Sequence, residues 1–382
     1  MRKFAWFKFF VVLILLGVIV LSTSAIASAT NISSSSTQLA RAAVPTANVT
    51  VFATGLDNPR GLKFGPDGNL YVAEGGPATN TLSTVGLCDQ VPSPVGPYTG
   101  GFNSRISKIT PAGVRTTVVN NLPSSQTSPA LGNLVSGVAD VAFIGDTLYG
   151  IEAGAGCSHG LAGTDNTVFR VNPDGTITNI VNLSAFQKAN PVKNPEPDDF
   201  EPDGTWYSMI AHGSVLYAIE PNHGELDRIL LNGKIIRVSD ISASQGHIVP
   251  TTLTFHSGRF YVGNLSTFPV VPGSAKILAI NNGGKIKSSQ AGLTTVVGVA
   301  FDTSGHLYAL ETDTVAGFPG PAAAGSGQVV RVNDDGSLTV IATGLTFPTA
   351  MTFSPDGNLY VSNIGFGVPV PGTGQIVRIT VP

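Results

Sequence analysis

One segment recurs six times along this chain, and it narrows the fold more than any other feature. GLKFGPDGNLYVAE (61–74) is matched by GVAFDTSGHLYALE (298–311) and AMTFSPDGNLYVSN (350–363). Weaker copies are DVAFIGDTLYGIE (140–152), SMIAHGSVLYAIE (208–220) and TLTFHSGRFYVGN (252–264). The shared tyrosine falls at Tyr71, Tyr149, Tyr217, Tyr261, Tyr308 and Tyr360, which takes six of the chain's 8 tyrosines. A repeat of roughly 45 to 78 residues belongs to solenoids, arrays and propellers, so the chain is read as copies of one unit.

Each copy is an apolar strand, a tight polar turn and a second apolar strand. A third strand follows: SRISKI (104–109), TVFRV (167–171), ELDRIL (225–230), AKILAI (275–280), QVVRV (328–332) and QIVRI (375–379). Turns such as PDG and DDG then lead to a fourth, as in SLTVIATGL (337–345). Four strands per unit predict propeller blades. The last unit stops after its third strand. NVTVFATGL (48–56) matches SLTVIATGL at six of nine positions. The expected fold is therefore an all-β, six-bladed β-propeller spanning 48–382, closed by the N-terminal strand completing the last blade. Closure removes the exposed strand edges that invite aggregation. Composition agrees: 45 Gly and 26 Pro serve turns, and charged residues are only 12%, about half the usual ~25%. That excludes a disordered chain, a coiled coil and collagen.

In an up-and-down blade the 2–3 and inter-blade 4–1 loops share one face. Every long insertion falls in that set: 75–104, 121–137, 153–166, 182–205, 240–250, 265–274, 312–326 and 364–374. Function is expected on this elaborated face. Cys88 and Cys157 lie in 2–3 loops of adjacent blades, which predicts a disulfide between them. The N-terminus supports export. Arg2, Lys3 and Lys8 precede an apolar run at 11–21 and small-x-small sites at 25–29, a signal peptide over 1–29, with a Ser/Thr/Ala-rich linker over 30–47. An uncleaved membrane anchor is the alternative. Export places the protein outside the cell or in its envelope, where disulfides persist. Without the leader, 18 basic residues face 24 acidic ones, a balance that excludes nucleic-acid binding. The mature chain has no transmembrane-length run, and a monomer is expected.

Three residues after each shared tyrosine stands Glu74, Glu152, Glu220, Asn264, Glu311 or Asn363. They are candidate ligand-binding residues, a ring of oxygens suited to a hard cation such as Ca²⁺. The alternative is structural: each caps its strand or pairs with the basic slot filled by Lys108, Arg170, Arg228, Arg331 and Arg378. Calcium-dependent lactonases of six blades place metal ligands where the innermost strands begin. Here those positions hold Arg60, Ala139, Asp140, Tyr207, Ser208, Thr251, Val297 and Thr349, a poor cage in which Arg60 and Asp140 are expected to pair. The run PEPDDFEPDG (195–204) offers Asp198, Asp199 and Glu201 as metal ligands beside Glu196 and Asp203, and leads into Trp206 and Tyr207, which with Arg60 and Asp140 are further candidate ligand-binding residues. EPNHGELDR (220–228) surrounds His223, the best acid–base candidate, with Glu220, Asn222, Glu225 and Asp227 in a short loop. No GxSxG, HExxH or phosphate-binding loop is present.

The chain resembles the ScyD/ScyE family, named for scytonemin biosynthesis. The resemblance lies in VPTTLTFHSGRFYVGNLSTFPVVPGSAKILAI (249–280), LYALET (307–312), FPTAMTFSPDGNLYVSNIGFG (347–367) and LDNPRGLKFGPDGNLYVAEGG (56–76). GNLSTFP (263–269) followed by PGSAKI (272–277) is its most specific part. It covers 48–382 and implies an exported six-bladed propeller linked to making an indole–phenol pigment, with no catalytic motif carried over. Two functions follow as expectations beside small-ligand binding on the elaborated face. One is metal-assisted chemistry on an aromatic or lactone-like substrate. The other is interaction with an envelope protein.

Overall fold

The computed structural model describes residues 46, 48–195, 201–317, 323–368 and 370–381. The proposed leader and most of the linker lie outside them. The repeat folds as six antiparallel sheets around a central axis. From the axis outward, blade one is Pro59–Phe64, Leu70–Glu74, Thr99–Ile109 and Arg115–Gln126, with a short fifth strand, Val135–Ser136, on its outer edge. Blade two is Val138–Ile144, Thr147–Glu152, Thr167–Val171 and Ile177–Asn182. Blade three is Ser208–His212, Val215–Glu220, Glu225–Leu230 and Ile235–Asp240. Blade four is Pro250–His256, Arg259–Asn264, Ala275–Asn281 and Ile286–Leu293. Blade five is Val296–Phe301, Leu307–Glu311, Gly327–Val332 and Leu338–Leu345. Blade six is Ala350–Phe353, Leu359–Asn363 and Gly374–Ile379, and its outer strand is the N-terminal Val49–Leu56. That strand pairs antiparallel from Val49 opposite Ile379 to Leu56 opposite Gly374.

The apolar residues of each blade point at its neighbours, and the core divides accordingly into six clusters, one per inter-blade seam. The repeated tyrosine is part of this packing. Tyr71 meets Phe143 of the next blade at 5.0 Å between ring centroids. Tyr261 meets Phe301 at 4.8 Å, Tyr308 meets Phe353 at 5.2 Å, and Tyr360 meets Phe64 of blade one at 5.1 Å. Edge-to-face contacts of this kind add to the area each ring buries. The tyrosine is therefore a seam residue, and the last of these contacts carries the seam across the closure.

Tight turns join strands one and two. The Asp67 carboxylate accepts from the Asn69 amide at 3.1 Å and from the Tyr71 hydroxyl at 3.0 Å. Gly68 and Gly357 adopt φ of +75° and +84° there, which only glycine takes without strain. Two segments expected as loops contain short helices, Leu183–Ala189 and Ser242–Gln245. The first is capped by Asn182, whose side chain accepts from the Ala185 amide. Among the described residues no helix is long and apolar enough to cross a membrane.

Truncation tests the closure. Deleting the chain up to Leu56 strips blade six of its outer strand and exposes the edge of Gly374–Ile379. The truncated chain should lose its cooperative thermal transition and aggregate, as followed by circular dichroism and light scattering.

Candidate functional site

The repeated carboxylates and amides at the end of strand two are buried, and most spend their oxygens on the main chain. Glu74 accepts from the Asp57 amide at 2.6 Å, Glu311 from Thr294 at 2.6 Å, Asn363 from Thr346 at 2.9 Å and Glu220 from Thr205 at 3.0 Å. Each partner belongs to the inter-blade connection, so these side chains tie a blade to the crossing before it. Asn264 works differently, accepting from Lys276 at 2.7 Å and donating to the Ile248 carbonyl at 2.8 Å. The expected pairing with the basic slot does not form. Lys108, Arg170, Arg228, Arg331 and Arg378 lie opposite the repeated tyrosines. Glu74 instead meets Arg105 at 2.7 Å, which also holds Asp57 at 2.6 Å.

At the channel mouth Tyr207 crosses the axis. Its hydroxyl donates at 2.9 Å to the Thr349 carbonyl, on the opposite blade. The Arg60 guanidinium sits over the ring, 5.6 Å from its centroid, and burial pushes its pKa down. Arg60 and Asp140 do not pair. Asp140 accepts from the amides of Val141 and Met209, each at 2.8 Å, and from the Ser208 hydroxyl at 3.1 Å. Thr349 donates to the Pro59 carbonyl at 2.6 Å, and Thr251 to the Val296 carbonyl at 2.5 Å. The donors that could hold a hard cation are thus already engaged, and Ca²⁺ does not fit this set. Only about 20 Å³ remains among Gly61, Asp140, Ser208 and Val297, on the order of one water.

The expected disulfide, Cys88 to Cys157, is present. Beside it the 3₁₀ turn Cys157–His159 is buttressed by Glu201 and Asp203. Asp203 accepts from the amide and hydroxyl of Ser158, each at 2.7 Å, and pairs with Lys188. Glu201 accepts from the Tyr98 hydroxyl. Of the proposed metal ligands, Glu201 therefore turns inward, while Asp198 and Asp199 lie outside the described residues. His159 Nδ1 stands 2.8 Å from the Ser125 hydroxyl, and its Nε2 faces the Gly204 carbonyl at 3.2 Å and Glu201 at 3.7 Å. A carbonyl only accepts, so Nε2 carries the proton and Ser125 donates to Nδ1. Burial drives the imidazole pKa down to about 4. This serine–histidine–carboxylate line is sealed, with all three residues at most 2% exposed. It holds loops together.

Blade three contains a second buried cluster. Glu225 and Asp227 stand on its third strand, Glu225–Leu230, the strand predicted from ELDRIL, and only the residues before them form the loop. His223 is 3.3 Å from Glu220 and 2.6 Å from the Gln187 amide. Burial alone would raise Glu220, but His223 and two backbone amides overcome it and hold its pKa low. Arg237 pairs with Glu225 and with the carbonyls of Asn190 and Pro191. Neither oxygen of Asp227 has a hydrogen-bond partner. Burial, then the neighbouring Glu225 and Glu220, push its pKa far up against Arg237, and burial lifts Glu225 to about 7. Trp206 is 1% exposed within the apolar seam between blades two and three.

Glu152 differs from its repeats. It opens onto a cleft of about 420 Å³ where the outer strands of blades one and two diverge on the elaborated face. Its Oε1 accepts from the amides of Ala153 at 3.1 Å and Gly154 at 2.9 Å, and Oε2 is buried with no partner. Burial raises its pKa to about 8. Leu122, Phe169 and Val181 supply apolar wall, and Asp165 and Asn179 lie among the polar lining. That volume and mix suit a small organic ligand. The repeat alignment singles out Glu152 but none of its companions, because the cleft arises from the gap between two blades. Among the described residues no cluster of histidine, cysteine and acidic side chains is arranged to hold a metal.

No protein-family model matches this chain, and no curated protein does. Solved structures do. A gluconolactonase from Xanthomonas campestris is 12% identical with a TM-score of 0.51, covering 87% of this chain and 89% of its own. A protein of unknown function from Bacteroides thetaiotaomicron is 12% identical with a TM-score of 0.54, covering 87% and 76%. A glucose-dehydrogenase-type oxidoreductase from Thermus thermophilus is 14% identical with a TM-score of 0.51, covering 87% and 99%. At these identities the likeness is one of fold.

Two outcomes follow from the buried groups. The disulfide closes a sequence separation of 69 residues, so replacing both cysteines by serine should cost about 4 kcal/mol by loop entropy, read from denaturant melts with and without reductant. Asp227 has a folded pKa above its unfolded one. Its contribution is full below the usual aspartate range and is lost as pH rises through the folded value. Glu225 behaves alike over a window ending near 7. Stability should fall from pH 5 to pH 8, and Asp227→Asn should flatten the fall and melt higher at pH 8, by about 1–3 kcal/mol.

Proposed function

We propose that this chain is an exported propeller that binds a small organic ligand in the cleft between blades one and two. The observation that carries this is the cleft itself, about 420 Å³ and lined by Glu152 with a buried, unpartnered oxygen. An orphaned buried carboxyl costs stability, and a ligand group that meets it removes that cost. The disulfide supports export, since such bonds persist in oxidising compartments. The ScyD/ScyE resemblance supports a ligand from scytonemin-type secondary metabolism. Envelope-protein interaction has one observation in its favour: Leu82, Val85 and Leu87 are 50%, 60% and 72% exposed on the loop pinned by Cys88.

Metal-assisted chemistry on a lactone has the fold likeness to a gluconolactonase behind it. The inner-strand donors do not favour it, because they are satisfied by the protein. A fragment panel of small aromatic and aliphatic compounds, read by thermal shift, tests the binding function. Ligands at one hundred times Kd should stabilise the protein by about 2.7 kcal/mol. Asn179→Trp, at the exposed wall of the cleft, should abolish those shifts, and Tyr207→Phe at the channel mouth should leave them. Shifts lost with Tyr207→Phe and kept with Asn179→Trp would move the site to the channel.

A further inference from the structure

The cleft also has a chemical preference, and deriving it rests on reading the cleft as a ligand site. We propose that its ligand is an organic cation, a protonated amine on an apolar or aromatic body, whose ammonium pairs with Glu152 Oε2. Three observations carry this. Glu152 lines the cleft and is 2% exposed, with Oε1 held by two backbone amides and Oε2 left without a partner. Among the described residues no lysine or arginine lines the cleft, and the other titratable group there is Asp165. The surrounding wall of Leu122, Phe169, Ile177 and Val181 matches an apolar body and offers no second charge.

The charge balance then selects the ligand. An anion entering here meets the Asp165 carboxylate and, among the described residues, no lysine or arginine to answer its charge. A neutral apolar molecule leaves Oε2 as it is. A primary ammonium supplies donors to Oε2 and the charge that the protein lacks, in surroundings where a charge-assisted hydrogen bond is strong.

The pairing also moves a proton. Burial keeps the Glu152 carboxyl protonated up to about pH 8. An arriving ammonium stabilises the carboxylate, so the carboxyl proton leaves to solvent as the ion pair forms. No bond to the ligand is made or broken. The groups facing Glu152 from the packed elements are neutral apart from Asp165: Leu122 and Pro123 from blade one, and Thr167, Phe169, Asn179 and Val181 from blade two. Affinity should therefore rise with pH through about 8 and fall once the amine deprotonates near ~10.

Calorimetry on the mature chain tests this with phenethylamine and its neutral counterpart 2-phenylethanol. Titrating the amine at pH 7 in two buffers of different ionisation enthalpy should show proton release approaching one per site. Glu152→Gln keeps the side chain's shape and should weaken the amine roughly tenfold or more, leaving the alcohol unchanged. Proton release is read on the native chain, so the test does not depend on the variant folding. If the alcohol binds as tightly as the amine and no proton is released, the cation assignment is overturned while the cleft stands as a ligand site. If neither probe binds at millimolar concentration, the cation assignment is overturned, and the fragment panel decides separately whether the cleft binds anything.

Discussion

Everything on the elaborated face depends on the pairing of Val49–Leu56 with Gly374–Ile379. A propeller blade buries its two faces against its neighbours, so a ring with one incomplete blade has two defective seams. The closing strand repairs both, and its end is fastened further. Asp57, just beyond it, joins Arg105 of blade one at 2.6 Å and accepts from the Gly372 amide of blade six at 2.6 Å. Phe52 of the closing strand also packs on Tyr360 at 5.0 Å. The strand farthest from the rest of its blade in sequence thereby joins the aromatic packing that links blade six to blade one.

With the ring closed, the polar residues at the loop ends fall into distinct kinds. Glu74, Glu220, Glu311 and Asn363 hold the inter-blade crossings by taking their backbone amides. Tyr207 and Thr349 span the axis and leave almost no room there. Glu152, Glu225 and Asp227 each keep a buried oxygen without a hydrogen-bond partner. Such groups are costly in a low-dielectric interior. Asp227 lies in a closed seam beside Glu225 and answers the cost by holding its proton. Glu152 lies beside open space, which is why it, and not Asp227, is the residue around which a ligand site can be built.

The blades were legible in the sequence because their signals are local. Strand alternation, PDG-type turns and the tyrosine slot all act within a few residues. Closure was legible because 48–56 copies 337–345. The disulfide followed from both cysteines falling in adjacent loops. The partners of the charged residues were not legible. An antiparallel register set the basic slot opposite the tyrosine and left Arg105 for Glu74. One shift of this kind changes which face a side chain takes. Arg60 and Asp140 are close in the ring by strand position, yet one stacks on Tyr207 and the other is used up by blade three. The strand that carries Glu225 and Asp227 was legible, but not the burial of both carboxyls beside Arg237.

By itself, the sequence determined the blade, the number of blades, how the ring closes and which face carries the long loops. Those properties rest on repeated short-range patterns, and a repeat states them six times. Only the tertiary structure decided that the channel is bridged by Tyr207, that Glu201 and Asp203 buttress the turn of a buried histidine, and that a cleft opens beside Glu152. Each of these depends on how far apart two blades stand, or on what a loop packs against. Such distances arise from contacts between segments remote in the chain, and no local pattern encodes them.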